Sequence, residues 1–520
     1  MKSWDHGLLH EYLIETVRQS PWRPLLEEGE SRHSYAEIFE RAASLAHGLR
    51  REGLCPGDAV LIYVGGGATT AIALFATLLA GGVFVLVHPQ TRREKLEFLL
   101  RDSEARFALM DQPREALLGP VLSGCFAEGA GPRGVSFGEA TGLLSVAALS
   151  KHGPLLEPAS RESRDLAALI YTSGSTGRPK AVMMTHRSMR FACETLCGYL
   201  RLGAEDRILN VLPLSFDYGL YQLLMAVRLG ATLVHEPSFA MPAPILAALG
   251  TRGITVFPGV PTVFALLLSM QRRRPSVFPE LRCLTNTAAA LPVEFLPDLQ
   301  AMFPNARIYK MYGLTECKRV SYLDPELLEQ KPGSVGRAIP GTQAFLLDEA
   351  GRRVAPGEEG LLYVRGPHVM LGYWKRPEES AQMLPEGAAA DERLLCTQDR
   401  FRCDEDGDLF FVGRSDDIIK SRGEKVSPLE IEHALHRIPG VSLAAVVGVP
   451  DPILGQAIQA FVVLQPGSSL SEEELIEEAR QRLEPALVPR RILVEKKLPL
   501  AATGKVDKKA LSSWGAKSSG

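Results

Sequence analysis

The stretch Leu169-Ile170-Tyr171-Thr172-Ser173-Gly174-Ser175-Thr176-Gly177-Arg178-Pro179-Lys180 decides how the chain is read. Apolar Ala167 to Tyr171 predicts a short buried strand, which then breaks into hydroxyl residues and glycines closed by a proline and a lysine. Gly174 and Gly177 let the backbone approach a ligand closely and take positive φ. Consecutive N–H groups in such a loop converge into an anion-binding nest. Thr172, Ser173, Ser175 and Thr176 add hydroxyl donors, and Lys180 adds a fixed positive charge. The loop reads as a polyphosphate cradle, with a plain Ser/Gly turn as the alternative. A Walker P-loop needs G-x-x-x-x-G-K-[ST] running into a helix. Here only Ser175 and Thr176 separate the glycines, and Pro179 stands where that helix would begin.

Thr172 to Lys180 match throughout the T-S-G-[ST]-T-G-x-P-K loop of the adenylate-forming enzymes, and the chain resembles that superfamily: acyl-CoA synthetases, peptide-synthetase adenylation domains and luciferases. Met311-Tyr312-Gly313-Leu314-Thr315-Glu316 matches its [YF]-G-x-T-E element. Tyr312 offers a face for adenine, Thr315 a hydroxyl for the α-phosphate, and Glu316 a hard oxygen ligand for the Mg²⁺ that accompanies ATP. Cys317-Lys318-Arg319 departs from the small or apolar residues usual after that glutamate. Small residues in Asn286-Thr287-Ala288-Ala289-Ala290 would let adenine lie flat, with Ala288 and Ala289 against it. Thr397-Gln398-Asp399 takes the place of T-G-D, whose aspartate accepts hydrogen bonds from both ribose hydroxyls; Gln398 replaces the glycine. Gly372-Tyr373-Trp374 with Pro377 matches a further element, read as structural.

The resemblance continues to the C-terminus. Gly413 to Lys420 resembles the linker between a large and a small domain, with Arg414 on ribose or phosphate and Asp416 as hinge. Gly423 and Lys425 would line a thiol channel. Leu498 to Lys505 matches the terminal P-x-x-x-x-G-K, which implies that Lys505 bridges the substrate carboxylate and the α-phosphate. The implied substrate pocket includes Phe216, Asp217, Val260 and Pro261. Asp217 stands where amino-acid-activating relatives hold an α-amino group, but fatty-acyl-activating relatives also carry an aspartate there, and an isolated aspartate near Pro and Gly is more often a turn or cap residue.

Bulk properties set the frame. A chain of 520 residues exceeds what one hydrophobic core supports. Its 61 acidic and 58 basic side chains leave a net charge of −3, which argues against a general nucleic-acid or anionic-membrane binder. The 8 cysteines form no C-x-x-C pair, so neither a disulfide framework nor a zinc site is expected, and a cytoplasmic setting fits. His6, His10, Glu11 and Glu15 interrupt any early apolar run, so no signal peptide is expected. Ala59 to His88 is apolar, but Gly65-Gly66-Gly67 and Gly81-Gly82 cut it into strand, helix and strand lengths, and no integral membrane segment is expected.

Local patterns place the rest. Ser34-Tyr35-Ala36-Glu37 is a capping box ahead of a helix that Gly53 ends. Strands are expected over 58–64 and 83–87, and helices over 91–102 and 188–200. From about Arg114 to Ser163 the pattern weakens into loops. Asp404-Glu405-Asp406-Gly407-Asp408 lacks EF-hand spacing and reads as a polar turn. Strands over 441–449 and 457–464 and a helix capped by Ser471 make the tail a compact unit.

Alternating strands and helices argue for mostly parallel sheets covered by helices. The expected class is α/β: a large N-terminal AMP-binding domain of mixed sheets, residues 1–415, and a small mobile C-terminal α/β lid, 416–520. The implied reaction joins ATP and a carboxylic acid, fatty or otherwise lipophilic from its apolar loops, into an acyl-adenylate and pyrophosphate. A pantetheine thiol then displaces AMP, from coenzyme A or from the phosphopantetheine arm of a separate carrier protein. A luciferase-like oxygenase and a non-catalytic nucleotide-binding protein are the alternatives. A monomer or homodimer is expected.

Overall fold

Strand and helix alternate over most of the chain up to Tyr312 because β-branched runs are punctuated by glycines and capping residues. The computed structural model describes residues 5–124, 131–138, 142–155, 157–173, 179–236, 241–271, 275–385, 393–414, 419–421, 424–451, 455–483, 487–501 and 504–517. Ser34 accepts from the Glu37 amide while the Glu37 carboxylate accepts from the Ser34 amide, and helix Tyr35–Arg51 follows, ending before Gly53 at φ 92°. Ala59 to His88 folds as expected into strand Ala59–Tyr63, helix Gly67–Leu79 and strand Val83–Leu86. That helix is buried on nearly every side, which explains its lack of a polar face. No described helix is long and apolar enough to cross a membrane.

Two large sheets carry the N-terminal part. One runs Leu144–Ser145, Arg133–Ser136, Phe107–Met110, Ala59–Tyr63, Val83–Leu86, Leu166–Ser173, Pro179–Thr185. The other has nine strands, with a parallel centre of Arg307–Tyr312, Cys283–Asn286, Val256–Gly259, Arg207–Asn210, Thr232–His235 and Pro24–Glu28. One continuous apolar core joins both sheets. A four-stranded antiparallel sheet over Gln343–Leu347, Glu359–Arg365, Leu394–Cys403 and Leu409–Arg414 follows. The tail forms its own sheet, centred on Val441–Asp451 and Gly455–Leu464, with separate apolar clusters on its two faces. This is the expected mixed α/β class.

The region from Arg114 to Ser163 differs from expectation. Helix Gln112–Gly124 and strands Arg133–Ser136 and Leu144–Ser145 occupy it. Those strands are four and two residues long and owe their form to pairing at the sheet edge, so they carry too little periodicity to read. The acidic turn is a turn: Gly407 sits at φ 86°, and Lys331 Nζ lies 2.7 Å from the carboxylates of Asp404, Asp406 and Asp408. An ammonium thus sits where a cation would be needed to hold three carboxylates together. The seven described cysteines are free thiols.

Candidate active site

Parallel strands of an open α/β sheet present ligands at their C-terminal ends. Four central strands of the nine-stranded sheet end in the singled-out loops. Arg207–Asn210 leads to Phe216 and Asp217, and Val256–Gly259 to Val260 and Pro261. Cys283–Asn286 leads to Ala288 and Ala289, and Arg307–Tyr312 to Gly313, Thr315 and Glu316. The sheet therefore gathers at one edge residues separated by up to a hundred positions.

The Tyr312 to Glu316 segment is the tip of a hairpin. Tyr312 pairs with Ser321, and a Cβ on Gly313 would lie 2.2 Å from the Lys318 carbonyl, so only glycine fits there. Tyr312 packs edge-on against Phe401, with ring centroids 4.8 Å apart, and donates its hydroxyl to Asp399. The residues expected to face adenine and ribose are thereby tied together. Arg414 Nε stands 3.7 Å from Asp399. Gln398 takes φ 61°, so it keeps the left-handed backbone that a glycine would adopt without strain, and the turn that aims Asp399 survives. Ala288 likewise sits at φ 77°, and Ala289 is exposed on the small-residue loop.

Thr172 and Lys180 face each other across an antiparallel hairpin of Leu166–Ser173 and Pro179–Thr185. Lys180 thus starts a strand, unlike a Walker lysine at a helix start. Its Nζ pairs with Glu379 at 2.6 Å and lies 5.4 Å from the Tyr373 ring. Gly174, Ser175, Thr176 and Gly177, with the side chain of Ser173, lie outside the described residues, as do the hinge Asp416, Gly423 and the side chain of Lys425.

Tyr373, read from sequence as structural, carries a site contact. Its hydroxyl donates to Glu316 Oε1 at 2.7 Å. No lysine or arginine among the described residues forms an ion pair with Glu316, whose half-buried carboxylate is aimed by a phenol. These donors fit Mg²⁺. Nothing local announces Tyr373, because it reaches the glutamate across 57 positions.

Lys505 arrives from the other domain. The Thr262 hydroxyl donates to the Gly504 carbonyl at 2.7 Å, docking the terminal loop beside Val260 and Pro261. Burial draws the Lys505 ammonium below the ordinary lysine range, while Asp217, Asp399 and Glu316 pull the other way. The ammonium is therefore within electrostatic reach of the candidate carboxylate pocket, ribose acceptor and metal ligand together. Asp217 occupies the first turn of helix Asp217–Leu229, where the dipole favours a carboxylate. Lys318 Nζ stands 3.4 Å from its Oδ2.

A tyrosine joined to Asp399, a glutamate held by the Tyr373 phenol and a lysine docked from the C-terminal part make up the candidate site. Residues 13–374 match the family model described as AMP-binding enzyme, and residues 430–505 match the AMP-binding enzyme C-terminal domain. The chain belongs to this AMP-binding enzyme family. It is similar to a long-chain-fatty-acid–CoA ligase of Bacillus subtilis, 29% identical over 97% of this chain and 94% of that protein. The mitochondrial malonate–CoA ligase of Homo sapiens is 31% identical, over 94% of this chain and 89% of its own length. Among solved structures, ATP-bound MatB from Rhodopseudomonas palustris superposes with a TM-score of 0.86 at 26% identity, covering 98% of this chain and 99% of that one.

Proposed function

We propose that the protein activates a carboxylic acid with ATP and transfers the acyl group to coenzyme A. A carboxylate oxygen attacks the α-phosphorus of ATP, the bond to the β-phosphate bridging oxygen breaks, and pyrophosphate leaves. The thiol sulfur then attacks the acyl carbon, and AMP leaves. The observation that carries this reading is the docking of Lys505, through Thr262 and Gly504, among Asp217, Asp399 and Glu316. No general base is needed in the first step, since a carboxylic acid is ionised at neutral pH. Positioning and charge neutralisation are what such transfer requires.

In this reading Lys505 draws the acid's carboxylate towards the α-phosphate. Tyr312 and the Ala288-Ala289 loop hold adenine, Asp399 and Arg414 hold ribose, and Thr315 contacts the α-phosphate. The Thr172 to Gly177 loop with Lys180 holds the outer phosphates, and Lys180 leaves Glu379 to do so. Glu316 would hold Mg²⁺, which supplies charge neutralisation at the phosphates. The boundary at residues 415 and 416 then acts as a hinge: turning about Asp416 withdraws Lys505 and brings the Gly423 and Lys425 segment to the thiol. Coenzyme A is favoured as acceptor because the relatives above are named as CoA ligases over nearly their full length. A carrier-protein arm is the second acceptor. Those relatives are named for very different acids, a long-chain fatty acid and malonate, so kinship does not choose the acid.

The test is carboxylate-dependent exchange of labelled pyrophosphate into ATP, with Lys505→Ala as control. Exchange with one class of acid, lost by at least about 100-fold in the variant while ATP still binds, is expected. Equal exchange by the variant refutes the assignment of Lys505.

A further inference from the structure

Beyond Glu316 the chain buries two basic side chains beside Asp217 and Thr287. Lys318 and Arg319 are 3% and 1% exposed, and Asp217 is 9% exposed. Lys318, at φ 62°, donates to the Asp217 carbonyl at 2.9 Å and lies 4.3 Å from the Tyr221 ring centroid and 5.5 Å from that of Tyr218. Asp217 thus has its cation supplied from within the chain. An α-ammonium seeking that carboxylate would have to displace a buried ammonium and leave it without an anion, which is strongly unfavourable. An α-ammonium would therefore have to compete with Lys318 for this carboxylate.

Arg319 is the unbalanced group. Its guanidinium lies 5.6 Å from the Tyr218 ring centroid, and one terminal nitrogen donates to the Thr287 hydroxyl. Its Nε is buried without a partner, and no carboxylate pairs with it among the described residues. Burial draws the Lys318 ammonium down to about 7, whereas a guanidinium keeps its charge, so Arg319 is the permanent buried cation without a carboxylate. The Tyr221 hydroxyl and the Asn286 amide nitrogen, beside Lys318 and Thr287 respectively, are also buried and unpartnered. A fatty tail packed beside Arg319 would leave a permanent charge buried and unanswered. The planar fork of a guanidinium instead matches a carboxylate, and its Nε side is the side left unbonded.

Resting on the ligase reading above, we propose that Arg319 selects an acid with a second carboxylate, holding that group unreacted while the first is adenylated beside Lys505. The substrate class is then a dicarboxylic acid, against the lipophilic acid expected from the apolar loops.

The test uses the full chain with ATP, Mg²⁺ and coenzyme A, measuring pyrophosphate exchange and thioester formation. The acids are straight-chain dicarboxylates, monocarboxylates of equal length, long-chain fatty acids and α-amino acids. The best dicarboxylate should exceed its monocarboxylate counterpart in kcat/KM by roughly 100-fold or more. Arg319→Met should collapse that ratio mainly through KM, and Arg319→Lys should keep part of it; thermal unfolding checks that both variants fold. Preference of the natural chain for monocarboxylates or amino acids overturns the proposal, as does an equal loss on both acids in Arg319→Met. No exchange with any acid, while ATP still raises the unfolding temperature, would instead overturn the ligase reading and this proposal with it.

Discussion

Replacing Thr262 by valine removes one hydroxyl from the seam between the two domains. The side chain keeps its shape, but the buried Gly504 carbonyl loses its donor. A buried acceptor left unsatisfied costs about 1–3 kcal/mol. The bond exists only when the terminal loop is docked, so this energy falls on the arrangement that brings Lys505 to the site. At about 1.4 kcal/mol per tenfold, the first step should slow by roughly 5- to 150-fold. The thiol step, which in the proposed cycle follows withdrawal of Lys505, should be unchanged or faster. Pyrophosphate exchange reads the first step, and single-turnover thioester formation from preformed acyl-adenylate reads the second. Equal loss in both, or no loss in either, would refute the idea that this contact serves the adenylating arrangement.

Two further outcomes follow, one from buried histidines and one from strained backbone. Burial holds His10 and His436 down to about 4 and His186 and His368 down to about 3, all below the unfolded value of 6.5. The unfolded chain therefore takes up protons first as pH falls. Their contribution is whole above pH 6.5 and is lost below it, by about 2 kcal/mol for an independent histidine at pH 5. The rings of His10 and His186 lie 6.2 Å apart, so those two do not add independently. Unfolding midpoints recorded from pH 7 to pH 5 should drop steeply, and a flat profile would contradict neutral burial. Gln398→Gly should relieve the left-handed strain at φ 61° and stabilise the fold by about 0.5–1 kcal/mol in denaturant titration. Destabilisation would mean that the Gln398 contact with Cys396 Sγ at 3.3 Å outweighs the strain.

Much of this molecule is legible because its signals are local. The Ser34 and Ser471 capping boxes each close within four residues and appear as read. The glycine-cut run from Ala59 to His88 becomes the expected strand–helix–strand unit for the same reason. The weak stretch after Arg114 misled because its short strands exist only through pairing with Phe107–Met110 and with each other. Motif residues such as Tyr312, Asp399 and Lys505 were nameable one by one, although no local rule states their mutual distances.

By itself the sequence determined the alternating α/β order, the composition of the Thr172 to Lys180 loop and the set of charged groups from which the candidate site is built, since each depends on residue type and near-neighbour spacing. Tertiary structure alone decided which of those groups meet. It set the Tyr373 phenol on Glu316, joined Tyr312 to Asp399, carried Lys505 in through Thr262, and buried Lys318 and Arg319 beside Asp217. These contacts span tens to hundreds of positions, and their energy comes from desolvation and hydrogen-bond geometry, which exist only once parallel strands bring their ends to a common edge.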